Sequence, residues 1–233
     1  MLRWNDSRDM LLGGARSDST ATARPHTKHA LAVVKLGGSH ALQPYLRAWL
    51  TALAECGGRV IVTPGGGPFA DEVRRAQKAM AFNDRAAHHM ALLAMEQFGV
   101  AICGLEPRLV PAASLRDLRA ALRAGRTPVW MATKLALTAS ELEPSWDLTS
   151  DSLAAWLAGR VGATLVALVK HGAPFADPVD LESLVARDII DPLFPRYLKA
   201  GPAEAVFLGP RDHELLGQTI NPASPCAAPG RMR

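Results

Sequence analysis

The sequence predicts an α/β fold, a three-layer αβα sandwich built around a mainly parallel central sheet. Three observations carry that reading. Apolar runs of strand length alternate with longer stretches whose apolar residues recur at helical spacing. The alternation extends over most of the 233 residues, enough for one domain with a full core. Glycine-bearing turns follow three of the runs: Lys35-Leu36-Gly37-Gly38, Gly65-Gly66-Gly67 and Lys170-His171-Gly172. They fall at strand carboxyl ends, where parallel sheets bind their ligands.

Residues 1–28 mix Arg, Asp, Ser and Thr with few large apolar residues and are expected to form a flexible extension. Residues 29–216 are expected to form a single domain, followed by an irregular tail over 217–233. The first strand is Leu31–Lys35, running into Gly37-Gly38. A helix over Ala41–Glu55 places Leu42, Leu46, Trp49, Leu50 and Leu53 on one face, and Gly57-Gly58 stops it. Arg59–Thr63 is the second strand. Two helices follow, Phe69–Met80 and one capped by Asn83 that runs to Phe98. Val100–Gly104 reads as the third strand, Ser114–Ala124 as a serine-capped helix, and Pro128–Ala132 as the fourth strand. Beyond Trp146-Asp147 a helix covers Leu153–Val161, ended by Gly162. Ala163–Val169 gives the clearest central-strand signal. Short helices over Leu181–Ala186 and Pro192–Lys199 precede a last strand, Ala205–Leu208.

Composition narrows the function. Hydrophobic residues make up 48% and charged residues 21%, as in ordinary soluble proteins. The net charge of +4 comes from scattered basic residues, which attract small anions but argue against nucleic-acid binding. Cys56, Cys103 and Cys226 are odd in number and far apart, so neither a disulfide framework nor a zinc site is expected, and a reducing cytoplasm fits. No apolar run approaches the roughly 18 residues of a membrane span.

The stretch Leu31–His40 carries the chemistry. Glycines let backbone N–H groups approach a ligand closely, and a following helix aims its positive end at the same place. Lys35 adds a full charge beside Gly37, Gly38 and Ser39, which together suit a phosphate. A strand-to-helix turn with a snorkelling lysine is the bland alternative on this segment alone. Neither a Walker A loop nor G-x-G-x-x-G is present, so a nicotinamide oxidoreductase is disfavoured. Asp151 reads equally as a helix cap. His88 and His89 are adjacent, point to different helix faces and do not form a metal pair.

The order Lys35-Leu-Gly-Gly-Ser39, Pro64-Gly-Gly-Gly67, Asp147-Leu-Thr-Ser-Asp151 and a strand ending at Lys170 resembles the amino acid kinase superfamily. Asp177-Pro178 looks like the Asp-Pro that follows the nucleotide loop in several members. The resemblance covers roughly residues 29–210. Gly65–Arg74 and Asn83–Ala91 look most like the branch related to the aminomethylfuran phosphate kinase of methanofuran-type cofactor biosynthesis.

The resemblance implies an ATP-dependent kinase that uses Mg²⁺ and acts on a small anionic acceptor, such as a phosphate monoester. It implies catalytic roles for Lys35, Asp151 and Lys170, and nucleotide or phosphate contacts from Gly37, Gly38, Ser39, Lys170, His171 and Gly172. Gly65, Gly66, Gly67, His88, Asp147 and Thr149 would meet the acceptor, with no residues set aside as metal ligands. It also implies a homo-oligomer. Two departures stand out: the usual Thr-Asp-Val-Asp-Gly loop is replaced at Lys170-His171-Gly172, and the C-terminal Gly-Gly-Met-x-x-Lys segment is missing. Lys170 or Arg196 is expected to supply the missing charge. With neither, the alternative is a non-catalytic nucleotide- or oxyanion-binding protein for storage or regulation.

Overall fold

In the computed structural model, residues 31–171 and 180–221 are described. The 1–28 extension, Gly172, Asp177-Pro178 and the tail from residue 222, with Cys226, lie outside the described residues. β-Branched and apolar runs form strands β1 (Ala32–Leu36), β2 (Val60–Pro64), β3 (Leu109–Ala112), β4 (Thr127–Trp130), β5 (Leu165–Val169) and β6 (Glu204–Leu208). They make one sheet in the order β3-β4-β2-β1-β5-β6, and every pairing is parallel. The four inner strands, β4, β2, β1 and β5, are buried on both faces, as parallel strands covered by helices must be, while the edge strands β3 and β6 are partly exposed.

The helices are α1 (Leu46–Glu55), α2 (Gly67–Met80), α3 (Asp84–Leu105), α4 (Leu115–Arg123), α5 (Thr133–Ala136), α6 (Ser150–Val161), α7 (Leu181–Ala186), α8 (Phe194–Lys199) and α9 (Leu216–Ile220). Successive strand residues point to opposite faces. Val33 and Ile61 therefore join one core with Trp130 and the apolar positions of α6 and α8. Val34, Leu36 and Val62 join the other, with Trp49 and Leu53 of α1 and Leu216 and Ile220 of α9. Helix α3 serves both cores, through Leu92 and Met95 on one and Phe98 and Ile102 on the other. Cys56 and Cys103 are free thiols.

Three expectations need correcting. Val100–Gly104 is no strand: α3 continues to Leu105 and the third strand is Leu109–Ala112. A short apolar run has no period of its own, and Phe98 and Ile102, one turn apart, lock it into the helix. The first long helix begins at Leu46 rather than Ala41, so Leu42 stays 84% exposed instead of facing the core. The expected irregular tail starts with α9, because Leu216 and Ile220 are also one turn apart and pack beside α1.

Register is what positions the site. Leu36 at the end of central β1 pairs with Pro64 of β2 and with Val169 of β5. Gly37, Gly65 and Lys170 therefore leave the sheet at one level. The first two turns touch backbone to backbone: a Cβ on Gly38 would stand 2.0 Å from the nitrogen of Gly67. Gly67 itself holds φ +51°, a left-handed conformation that favours glycine. Since backbone cannot swing aside as a side chain does, Gly38→Ala is expected to cost at least about 3 kcal/mol, at or beyond the usual range for overpacking. Chemical denaturation of the purified variant measures this.

Candidate functional site

The site grows from three charged side chains on three elements. Lys35 lies on β1, Asp151 in the first turn of α6, and Lys170 directly after β5. The Lys35 ammonium is 3.0 Å from Asp151 Oδ1, and the Lys170 ammonium donates a hydrogen bond to Oδ2. Asp151 is 2% exposed and Lys35 7%. A buried carboxylate is costly unless paired, and here two cations and a helix N-terminus face it. Burial works to raise its pKa, but the charges of Lys35 and Lys170 outweigh this and hold it below the ordinary carboxylate range. Burial and the neighbouring Lys35 bring the Lys170 ammonium down to about 8, while Asp151 works to raise it. The trio carries one surplus positive charge, and it borders a cavity of about 270 Å³.

Most of the residues singled out in the sequence converge on this cavity. Lys35, Gly38, Ser39, Gly65, Gly66, Gly67, His88, Thr149, Asp151 and Lys170 all border it. Gly37 sits beneath the ring of His40, against the carbonyl of Val169. Asp147 is exposed and not among the bordering residues. His171 is stacked 4.4 Å from His40 at the outer rim. His88 is buried, and burial together with His89 lowers its pKa. Of the two cations expected to supply the missing charge, Lys170 meets Asp151, whereas Arg196 is exposed and lies over the ring of Tyr197.

Other contributors were not legible in the sequence. Arg74 of α2 places its guanidinium 4.4 Å over the ring of Trp146, whose indole N–H donates to Gln77 at 2.7 Å. Both Arg74 and Trp146 border the cavity. Their contact joins α2 to the segment before α6, and no local pattern announces a pairing over that distance. His40, wholly buried, donates from Nε2 to the carbonyl of Val169 at 3.2 Å, leaving Nδ1 to accept from the Tyr45 hydroxyl at 3.3 Å. Burial, and then the proximity of His171, lower its pKa to about 4, so it is neutral at physiological pH. Asp191 accepts hydrogen bonds from Thr149 and Ser152, 42 and 39 residues away in the chain. An Asp-Pro pair signals only a turn.

Residues 30–172 match the sequence model of the amino acid kinase family. This chain belongs to that family. A curated relative, the (5-(aminomethyl)furan-3-yl)methyl phosphate kinase of Methanocaldococcus jannaschii, is 28% identical over 127 residues. The match covers 54% of this chain and 58% of that relative, under two thirds of its length. Among solved structures, the uridylate kinase of Archaeoglobus fulgidus superposes with a TM-score of 0.61 at 17% identity, covering 80% of this chain and 95% of the other. The UMP kinase of Ureaplasma parvum gives 0.61 at 13% identity, over 78% and 90%. Both share the family's fold, to which the six-stranded parallel sheet of the described residues conforms.

The Lys170 environment has a measurable signature. Its pKa is depressed from 10.5 to about 8 in the folded chain. Between those values the unfolded chain binds a proton that the folded chain lacks, so this group makes stability rise with pH across that window and contributes no slope below it. Competitive acylation with an amine reagent, read by mass spectrometry, should show Lys170 becoming reactive near pH 8 while exposed lysines lag behind.

Proposed function

We propose that this chain is an ATP-dependent phosphotransferase that moves the γ-phosphoryl group to a small anionic acceptor. The observation that carries the reading is the buried Asp151 carboxylate clamped by Lys35 and Lys170 where the glycine turns meet. Phosphoryl transfer asks a protein mainly for alignment and for positive charge where negative charge develops. In this reading Lys35 and Lys170 stabilise the transferred group, and Asp151 keeps both ammonium groups aimed. Gly37, Gly38 and Ser39 offer backbone donors to the phosphates, while His171 faces the nucleotide side.

The acceptor enters past Gly65, Gly66, Gly67, His88 and Thr149, with Asp147 nearer the surface. Its own anionic oxygen attacks phosphorus as the bond to the ADP oxygen breaks, so no general base is required. The family membership and the name of the archaeal relative support a phosphate monoester such as an aminomethylfuran phosphate of methanofuran-type cofactor biosynthesis. Among the described residues no group of three or more His, Cys, Asp or Glu side chains is placed to hold a metal. The two ammonium groups already occupy Asp151. Mg²⁺ thus fits as a companion of the nucleotide, held by phosphates and water, where it neutralises phosphate charge.

Lys170 also bears on the alternative of a non-catalytic binding protein, whose motive was a missing second cation. An ammonium beside Asp151 supplies that charge and favours catalysis. We place the protein in the cytoplasm as a homo-oligomer with a single domain that takes in α9. No helix among the described residues is long and apolar enough to cross a membrane. The oligomer is supported by Met90, Leu93 and Val100, which leave an exposed apolar stripe along α3.

The test is ADP release from ATP across a panel of phosphate monoesters and carboxylates. Lys35→Ala should lower kcat at least about 100-fold, as loss of a transition-state cation does, while the fold survives because Lys170 still pairs Asp151. ATP binding without turnover on any acceptor would select the non-catalytic reading.

A further inference from the structure

Asp191 is 6% exposed and lies in the bend before α8. No lysine, arginine or histidine pairs with it among the described residues. Instead it gathers five donors. Oδ2 accepts from Thr149 N at 2.9 Å, Thr149 Oγ1 at 2.8 Å and Ser152 N at 3.0 Å. Oδ1 accepts from Ser152 Oγ and from Phe194 N at 2.9 Å. One carboxylate therefore serves the starts of two helices, α6 and α8, which also pack against each other.

The arrangement exceeds the needs of a cap. An ordinary N-cap side chain comes from the residue next to its helix and satisfies one or two N–H groups, as Asn83 does for α3 with Ala86 N. The start of α6 has two hydroxyl residues of its own, Thr149 and Ser150, yet the capping residue Thr149 makes no local side-chain cap bond. Its hydroxyl is turned to Asp191 instead. The two residues held, Thr149 and Ser152, bracket Asp151. Each is pinned at both its backbone nitrogen and its hydroxyl, which leaves the peptide between them little freedom.

We infer that Asp191 is a positioning residue that fixes the first turn of α6 and so sets the Asp151 carboxylate between the two lysine ammonium groups. A carboxylate suits the task because both its oxygens accept, and donors approach it from both sides. An asparagine of the same shape must turn an NH₂ toward one set of donors, which leaves buried N–H or O–H groups without acceptors. With that turn loosened, Asp151 drifts and Lys170 loses the anion that holds its proton. The remaining neighbours of the Lys170 amine, Lys35 and His40, offer no substitute anion.

The inference rests on the kinase reading for its kinetic arm only, so the experiment has two arms. In full-length protein, Asp191→Asn should reduce kcat about tenfold or more, while the KM for ATP changes less than about threefold, since the loss falls on the transition state. In the absence of any substrate, competitive acylation should show the Lys170 amine titrating about half a unit or more lower than in the wild type, because its counter-charge has moved. Asp188→Asn, on the exposed surface nearby, should change neither. If Asp191→Asn does not fold, Ser152→Ala, which removes one of the donors bracketing Asp151, decides by the same acylation readout. A folded variant whose Lys170 titration matches the wild type would overturn the inference. A shifted titration in a protein without turnover on any acceptor would uphold it and count against the kinase reading alone.

Discussion

Two lysine ammonium groups do not share a dry site unless an anion stands between them. Asp151 is that anion, and several features at the top of the sheet serve to keep it there. Its charge is stabilised by Lys35 and Lys170, and theirs by it, so removing the carboxylate leaves two uncompensated ammonium groups in a poorly solvated place, whereas removing either lysine still leaves an ion pair. Burial alone would push both Asp151 and Lys170 toward their neutral forms. Mutual attraction keeps the carboxylate ionised, and Lys170 titrates within reach of physiological pH.

The central strand makes this possible. Lys35 sits one residue before the carboxyl end of β1, in register with Thr63 on one side and Leu168 on the other. Parallel pairing at that register brings the turns after β1 and β2 and the start of the loop after β5 to one edge. The pattern that the sequence resembles carries a C-terminal Gly-Gly-Met-x-x-Lys segment, which is missing here. In this chain the Lys170 ammonium follows β5 directly, and Arg196 turns to the surface against Tyr197.

Much of this was legible in the sequence, for physical reasons that can be stated residue by residue. Buried parallel strands are continuous apolar runs, so β1, β2 and β5 announced themselves, and glycine turns directly after them marked the ligand edge. Asp151 was visible as a residue type at a helix start, though not as a partner of Lys170. What stayed hidden was what depends on three dimensions. Val100–Gly104 looks like a strand because a short apolar run lacks a period, and only the packing of Phe98 and Ile102 decides for helix. Arg74 over Trp146, and Asp191 under Thr149 and Ser152, join residues brought together by the fold rather than by spacing. The Leu216–Ile220 pair was too short a pattern to outweigh the proline- and alanine-rich tail after it.

The contact of Gly38 with Gly67 has one more consequence. The turns after β1 and β2 meet through main chain alone, with no side chain at the seam. Their relative alignment is therefore indifferent to the chemistry of the surrounding walls. Residues such as Arg74, His88 and Trp146, which border the cavity, can diverge to suit a different ligand while the geometry across the seam stays as it is. In such a design the part that aligns and the part that chooses are separately evolvable.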